Sequence, residues 1–413
     1  MQPTIPFSYR HDLLYCEDVS LEALAHAYGT PLYVYSKQGT ISSYQAIDQA
    51  FAAIPHTICY ALKANANPHL LRLLAAAGGG ADVVSGGELE LARQAGFPPT
   101  KTVFAGVGKT DAEIRSAIEA GIAALNIESR QELEVTAALA MAMGKAAPVA
   151  IRINPDVDIE GHPYLTTGKK INQFGIPVEE AYSCCLWAAR QPGLKVVGVH
   201  AHIGSMIKKI LPYRKNAEVL AGFVAELSRA GIQVGHIDLG GGIGVDYTHV
   251  LAEHGPPFFI DPAELAAEVV PVISPTGCEL LLEPGRAIVG ANGLLVTRVL
   301  YVKESRDKRF VVVDAAMNDL IRPALYGAHH EVLTVHRSEG QSAPADVVGP
   351  ICESGDFFAK DRLLPPVQRG ELLTIMTAGA YGYVLASTYN QRVKPAEVLV
   401  DGSSHLLIRE RSW

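Results

Sequence analysis

The sequence predicts an α/β protein in which a parallel (β/α)8 barrel is joined to a second, β-rich domain. Two patterns and one break in pattern predict it. Eight short apolar runs recur between Thr57 and Leu282. The early ones start about 20 to 25 residues apart, which is one strand and one helix per step. The segments between runs open on helix-capping residues and end near glycines. After Arg286 that rhythm stops, and strand-like runs separated by Gly and Pro replace it.

Taken in order, the first strand-like run is Pro31 to Ser36, ahead of the barrel. It is assigned to the β-rich domain, which then comprises residues 1–36 plus 286–413 around a barrel of residues 37–285. The barrel runs are Thr57 to Leu62, Ala81 to Ser85, Thr102 to Val107, Ala124 to Ser129, Val149 to Pro155, Val196 to Ile203, His236 to Leu239 and Glu279 to Leu282. Leu70, Leu71, Leu73 and Leu74 between the first two runs have helical spacing, as do Leu89, Leu91, Ala92 and Ala95 after the second. Ser85-Gly-Gly-Glu88, Thr110-Asp-Ala-Glu113 and Ser129-Arg-Gln-Glu132 read as capping boxes, in which hydroxyl and carboxylate satisfy orphan N–H groups. Gly78, Gly96, Gly121 and Gly144 mark helix ends. No motif marks the strand-order reversal that an open doubly wound sheet needs. Past Arg286, strands are expected at Gly293 to Val302, Arg309 to Ala315, Glu371 to Ala378 and Glu397 to Val400.

Bulk properties narrow the function. A length of 413 residues with 48% apolar and 19% charged residues suits two packed cores. A net charge of −8 leaves no basic excess to neutralise phosphates, so nucleic acid and anionic membranes are not expected partners. Met1 to Ser20 shows no secretory signal, and no apolar stretch approaches the ~20 residues of a membrane span. The six cysteines (Cys16, Cys59, Cys184, Cys185, Cys278 and Cys352) form no CxxC pair, so reduced, mostly buried thiols and a cytoplasmic enzyme are expected.

The chemistry sits where the runs end, as barrel enzymes require. Lys63 follows the first run; as a free amine it is mostly protonated at neutral pH, and it reacts only if desolvated or met by an aldehyde. Its bland alternative is a lysine reaching for solvent from a strand end. The sixth run carries His200 and His202, whose alternate positions on a strand would face one side, followed by Ser205. One of them is suited to stack on a flat cofactor. With no third, carboxylate ligand evident, no metal is expected.

Gly240-Gly241-Gly242 lets backbone N–H groups approach a phosphate, or else makes a tight turn. It is not GxGxxG, which weighs against a dinucleotide. Glu283-Pro-Gly-Arg286 offers a carboxylate for a pyridine nitrogen and a guanidinium for a carboxylate, or else a structural ion pair. In the second domain, Cys352-Glu353-Ser354-Gly355-Asp356 places a thiol between acids, which suits a proton donor or a buried structural cysteine. A lysine, a histidine, a glycine turn and a Glu–Arg pair at successive strand ends together read as a pyridoxal-phosphate site.

These motifs resemble those of the fold-type III pyridoxal-phosphate decarboxylases, whose barrel is alanine-racemase-like, from about Leu21 to Val400. The matching stretches are Tyr60-Ala-Leu-Lys63-Ala-Asn65, Asp156 to Gly175 with His162-Pro163-Tyr164 and Phe174-Gly175, His202-Ile-Gly-Ser205, Gly240-Gly-Gly242, Glu283-Pro-Gly-Arg286, Arg322-Pro-Ala-Leu-Tyr326-Gly, Cys352-Glu-Ser-Gly-Asp356 and Ala378-Gly-Ala-Tyr381-Gly. Met206 departs from the family's usual Gln, and His329 from its usual aromatic.

The resemblance implies roles. Lys63 carries the cofactor, Glu283 pairs with its ring nitrogen and His202 stacks on the ring. Ser205, Gly240, Gly241, Gly242 and Tyr381 hold the phosphate, while Asp82 and Arg152 line the cofactor. Arg286, Arg322 and Tyr326, with Tyr381 nearby, bind a distal substrate carboxylate, Glu353 a distal ammonium, and Cys352 supplies the proton that replaces CO2. It further implies a homodimer with shared sites, and decarboxylation of meso-2,6-diaminopimelate to L-lysine. Three alternatives stay open. They are a decarboxylase of another basic amino acid (ornithine, arginine or lysine), a racemase on the same barrel, and a non-catalytic pyridoxal-phosphate carrier, which would not need more than a hundred residues after Arg286.

Overall fold

The computed structural model describes residues 3, 5–157, 173–305, 307–338 and 340–413. His162, Pro163 and Tyr164 lie outside the described residues. The chain forms two compact units. One is Tyr44–Gly244 with Phe258–Gly285; the other is Met1–Ser43, Val245–Pro257 and Arg286–Trp413.

The first unit is a closed parallel barrel. Its strands are His56–Ala61, Gly80–Val83, Thr102–Phe104, Ala124–Ile127, Ala147–Asn154, Leu194–His200, His236–Asp238 and Glu279–Leu282. Each pairs in parallel with the next, and the eighth pairs with the first through Leu280–His56 and Leu282–Ile58. A two-residue strand, Ile176–Pro177, adds to the edge of the fifth. Cys59, Val103, Ala124, Ala150 and Leu281, from five strands, form one buried cluster, so the barrel is packed rather than hollow.

All eight apolar runs are strands, but most strands stop short of the run's end. Thr57 to Leu62 is the clearest case: the strand ends at Ala61, and Leu62–Ala64 is a helical turn that carries Lys63. The sixth strand ends at His200, so His202 lies beyond it. The expectation that His200 and His202 share a strand face is therefore corrected.

The capping boxes divide. Thr110 and Glu113 form the full reciprocal pair. Ser85 and Ser129 accept from the N–H of Glu88 and Glu132, but those carboxylates reach one residue further back, to Val84 N and Glu128 N. Both serines are fully extended (φ −156°), whereas Thr110 has φ −79°, which turns its own N–H toward the carboxylate.

The second unit is β-rich. Its main sheet runs Phe357–Leu364, Ala343–Val348, Lys308–Val313, Gly293–Ser305, Leu32–Ser36, Ala396–Asp401 and Ser404–Arg409 in spatial order. Leu372–Ile375 also pairs with Gly293–Ser305, and Val332–Thr334 with Leu372–Ile375. Leu32–Ser36 is central, antiparallel to Gly293–Ser305 and parallel to Ala396–Asp401. This is why an N-terminal segment and the C-terminal region share one core, through Leu32, Val34, Leu294, Val296, Val398 and Val400. A small antiparallel sheet of Phe7–Arg10, Leu13–Cys16 and Val19–Ser20 packs Phe7, Leu14 and Val19 into the same cluster.

Candidate functional site

Polar residues line up at the C-terminal ends of the barrel strands. Asp82, Asn126, Arg152, His200 and Asp238 come from strands two, four, five, six and seven, and Glu283 follows the eighth; all are buried. Register brings several together: His200 pairs with Arg152 on one side and Asp238 on the other. Side chains in register on parallel neighbours point the same way. Buried polar groups persist only with partners, and here they partner one another.

Lys63 Nζ is 2.9 Å from Asp82 Oδ2, with Asp82 wholly buried. The lysine is thus tied to a buried charge rather than merely reaching for solvent. Burial and the charge of Glu283 push the Asp82 carboxyl up, and Lys63 opposes them. Glu283 behaves oppositely. Burial alone would raise it, but His200, Lys63 and His202 outweigh burial and hold it ionised, well below the usual carboxylate range. His200 Nε2 lies 3.3 Å from Glu283 Oε2, and Asn126 Nδ2 donates to Glu283 Oε1 at 3.5 Å. Asp238 is pushed well up by burial and then by Glu283, the opposite direction to Glu283 itself.

Donor atoms of His200, Asp238 and Glu283 lie within 4.8 Å of one another. The sequence reading found no carboxylate beside the histidines; the fold supplies two.

His202 keeps a neutral ring. Burial, then the charges of Lys63 and Arg152, hold it well below the usual histidine range. Its Nδ1 accepts from Gly241 N at 3.1 Å, so Nε2 carries the ring proton.

The glycine turn is tightly bound to this region. Gly240 N donates to Asp238 Oδ1 at 2.8 Å. A Cβ at Gly241 would lie 2.1 Å from the Glu283 carbonyl oxygen. One at Gly242 would lie 2.1 Å from the Gly204 carbonyl oxygen, beside half-buried Ser205. Arg152 pairs with Glu128, which also accepts from Gly106 N at 3.0 Å and Gly175 N at 2.9 Å, and its guanidinium covers Phe174 at 4.9 Å.

This barrel cluster fits pyridoxal phosphate. An amine for its aldehyde, an ionised carboxylate for its pyridine nitrogen, a neutral flat ring and a glycine turn stand at neighbouring strand ends. Asp82 Oδ1, Asn126 Oδ1 and His200 Nδ1 are buried without a hydrogen-bond partner among the described residues. Such atoms each cost about 1 to 3 kcal/mol unless a polar group meets them.

The remaining predicted residues belong to the β-rich unit. Arg286 opens a short buried helix, Arg286–Val289, and Arg322 begins another, Arg322–Tyr326. Arg286 NH1 donates to Tyr247 OH at 2.6 Å, and its guanidinium covers the Tyr381 ring at 4.8 Å. Tyr326 also acts electrostatically on Arg286. Arg322 covers the Tyr247 ring at 4.9 Å, and its NH1 lies 2.7 Å from His330 Nε2. Tyr381 and Tyr326 are half-buried, and Tyr381 has φ 56°. The structure thus gathers Arg286, Arg322, Tyr326 and Tyr381 around Tyr247, which the sequence reading did not name.

Cys352 and Glu353 stand apart from that cluster. Both are exposed, and Glu353 bonds to Tyr389 while Cys352 N donates to Asn390 Oδ1 at 3.3 Å. Asp356 pins their loop, accepting from Ile351 N and Met317 N, each at 2.7 Å. All six cysteines are free, and Cys352 alone is exposed.

Comparison with known proteins gives the family. The model of the pyridoxal-dependent decarboxylase, pyridoxal binding domain, matches residues 39–290. A diaminopimelate decarboxylase of Aquifex aeolicus is 46% identical over 98% of this chain and 94% of its own. The crystal structure of diaminopimelate decarboxylase from Helicobacter pylori complexed with L-lysine superposes with a TM-score of 0.90 at 40% identity, covering 95% of this chain and 96% of that one. The enzyme from M. jannaschii in co-complex with L-lysine gives 0.93 at 36% identity, covering 100% and 96%. Near-full-length identity well above the level at which only a fold is shared, on a barrel that carries the lysine, glutamate and glycine turn in place, leads to one conclusion: this chain belongs to the diaminopimelate decarboxylase family of pyridoxal-phosphate-dependent decarboxylases.

Proposed function

We propose that the chain converts meso-2,6-diaminopimelate to L-lysine and CO2, the carboxy-lyase step that ends lysine biosynthesis, with pyridoxal 5′-phosphate as cofactor. The observation that carries this reading is the strand-end cluster of Lys63, Asp82, His202 and ionised Glu283. When bound, the cofactor supplies the electron sink for the pair released as the Cα–carboxylate bond breaks.

The chain's own residues do the rest. Lys63 holds the cofactor through its amine and handles protons, with Asp82 as its counter-charge. Glu283 would keep a proton on the ring nitrogen because His200 and Lys63 outweigh burial and hold the glutamate charged. His202 offers an uncharged face for stacking. Ser205, Gly240, Gly241, Gly242 and Tyr381 bind the phosphate, and Arg152 lines the cofactor. Arg286, Arg322 and Tyr326 bind the carboxylate at the substrate's far end, and Glu353 the ammonium beside it. Substrates without the far carboxylate leave the buried charges of Arg286 and Arg322 unmet, which is a strong kind of discrimination. Cys352 delivers the proton that takes the place of CO2.

The exposed Cys352–Glu353 loop supports a homodimer in which each chain lends this loop to its partner's site, as a two-fold interface permits. Lys63→Ala and Cys352→Ala chains are then each inactive and recover part of the activity when mixed under exchanging conditions. No recovery in demonstrated mixed dimers means each site is built from one chain. The reading includes a cytoplasmic compartment, because an exposed thiol that works as an acid needs a reducing milieu. Among the described residues, no helix is long and apolar enough to cross a membrane.

The deciding experiment incubates the purified, cofactor-loaded protein with meso-diaminopimelate, ornithine, arginine and lysine, and measures CO2 and amine products. Turnover of meso-diaminopimelate to L-lysine, with the others at background, is expected. Preferred turnover of another basic amino acid overturns the substrate, and no turnover of any overturns the enzyme.

A further inference from the structure

We propose that His330 and Tyr247 are positioning residues that hold Arg322 and Arg286 through an imidazole nitrogen and a phenol oxygen, so that the charge of Arg322 remains available to the far carboxylate of the substrate. The inference rests on the substrate reading above and deepens it.

The tautomer of His330 follows from its two neighbours. His330 is fully buried, with Nδ1 2.8 Å from the Met376 carbonyl oxygen and Nε2 2.7 Å from Arg322 NH1. A carbonyl only accepts and a guanidinium only donates. The proton therefore sits on Nδ1, and Nε2 presents a lone pair to Arg322. A second proton would place Nε2–H against the guanidinium donors, in a fully buried site that screens like charges poorly. Burial, and then Arg322 itself, hold the ring well below the usual histidine range.

Tyr247 fixes the direction of Arg286. Its hydroxyl oxygen accepts from Arg286 NH1 at 2.6 Å, and its ring lies under Arg322 at 4.9 Å and against His330 edge-on at 5.1 Å. Burial raises the phenol, but Arg286 and Arg322 outweigh it and lower it. One tyrosine and one histidine, about eighty residues apart in sequence, thus brace two arginines from two helices.

The choice of partner matters. Buried arginines are ordinarily held by carboxylates, which cancel their charge. Among the described residues no carboxylate lies within ion-pair distance of Arg322; its partners are an imidazole and a phenol ring. A neutral acceptor fixes the direction of the guanidinium without competing for it. Such a site takes a carboxylate and gains little from an amine.

The test compares two probes, L-lysine, which retains the far carboxylate, and cadaverine, the same diamine without it, as competitive inhibitors of meso-diaminopimelate turnover. His330→Leu is expected to raise the KM for meso-diaminopimelate and the Ki for L-lysine about 10- to 100-fold, the worth of a hydrogen bond to a charged group. It should lower kcat less and leave the Ki of cadaverine within error of wild type. His330→Gln, which keeps an acceptor near Nε2, should recover most of the loss, and Tyr247→Phe should repeat the L-lysine effect. If His330→Leu does not fold, His330→Gln and Tyr247→Phe carry the same comparison. Equal weakening of L-lysine and cadaverine, or constants unchanged from wild type, overturns the inference. A wild-type protein that does not turn over meso-diaminopimelate overturns the substrate reading instead.

Discussion

The two clusters solve the problem of buried charge in opposite ways. At the barrel's strand ends, charge answers charge: Lys63 faces Asp82 and Arg152 faces Glu128, while Glu283 lies beside the rings of His200 and His202. In the β-rich unit, Arg322 and Arg286 are met by an imidazole and a phenol. The barrel arrangement drives ionisation in opposite directions, holding Glu283 low, pushing Asp238 up and keeping His202 below the usual histidine range. That serves a cofactor whose electronics depend on one ring proton. The β-rich arrangement sets direction and leaves charge in place, which serves recognition of an anion. On the proposed function, chemistry and recognition call for different electrostatics, and the two clusters stand on different elements.

Breaking the barrel side costs most. Lys63→Ala is expected to lower turnover by about 10⁴-fold or more, as loss of a covalent anchor does. It should also remove the visible absorbance of the bound cofactor. A variant that stays yellow through a borohydride-reducible bond shows that another amine is the anchor.

The recognition side should fail differently. Glu353→Gln, which removes the counter-charge of the far ammonium, is expected to lower kcat/KM for meso-diaminopimelate by about 30-fold or more while cofactor affinity stays at the wild-type level. Unchanged kcat/KM removes Glu353 from the site.

Gly241→Ala tests how closely the turn and Glu283 depend on each other. The added Cβ would sit 2.1 Å from a backbone oxygen, so the turn must shift. Overpacking of this kind costs about 1 to 3 kcal/mol, and a weaker cofactor Kd by about tenfold is expected. An unchanged Kd means that the turn does not hold the phosphate.

The smallest effect is a pH dependence. His236 is buried, and burial and then His200 lower it to about 4. The unfolded chain binds that proton near pH ~6.5, so between these values it holds more protons than the folded chain. Stability therefore falls as pH drops from about 6.5 toward 4, by up to about 3 kcal/mol, and this contribution levels off below. Denaturant titrations of His236→Gln should show a flatter profile in that window; a profile parallel to wild type contradicts the assignment.

Legibility in the sequence followed locality. Lys63, the glycine turn and Glu283 stand in short motifs at the ends of apolar runs, so period and composition expose them. Asp238 and Asn126 are single polar residues within buried strands, and only barrel closure reveals that they converge on Glu283. A charged residue two positions ahead of a triple glycine, inside an apolar run, was the available signal for Asp238. Tyr247 and His330 carry no local mark at all, because the fold of the β-rich unit makes them neighbours. Two of the strands missed there, Phe357–Leu364 and Ser404–Arg409, are sheet edges, whose Lys360, Asp361, Arg362 and His405 blur the apolar pattern as edge strands do. The apolar pattern puts His202 inside the sixth run, on one strand face with His200, but the strand ends at His200 and alternation does not reach it.

The division of labour is tested most directly by one variant read two ways. Arg322→Gln is prepared with the cofactor, its visible absorbance is recorded, and its KM for meso-diaminopimelate is measured on the same sample. The account predicts wild-type absorbance with a KM raised by about 30-fold or more, the cost of removing one member of a buried charge pair. Lost absorbance, or a wild-type KM, would contradict it.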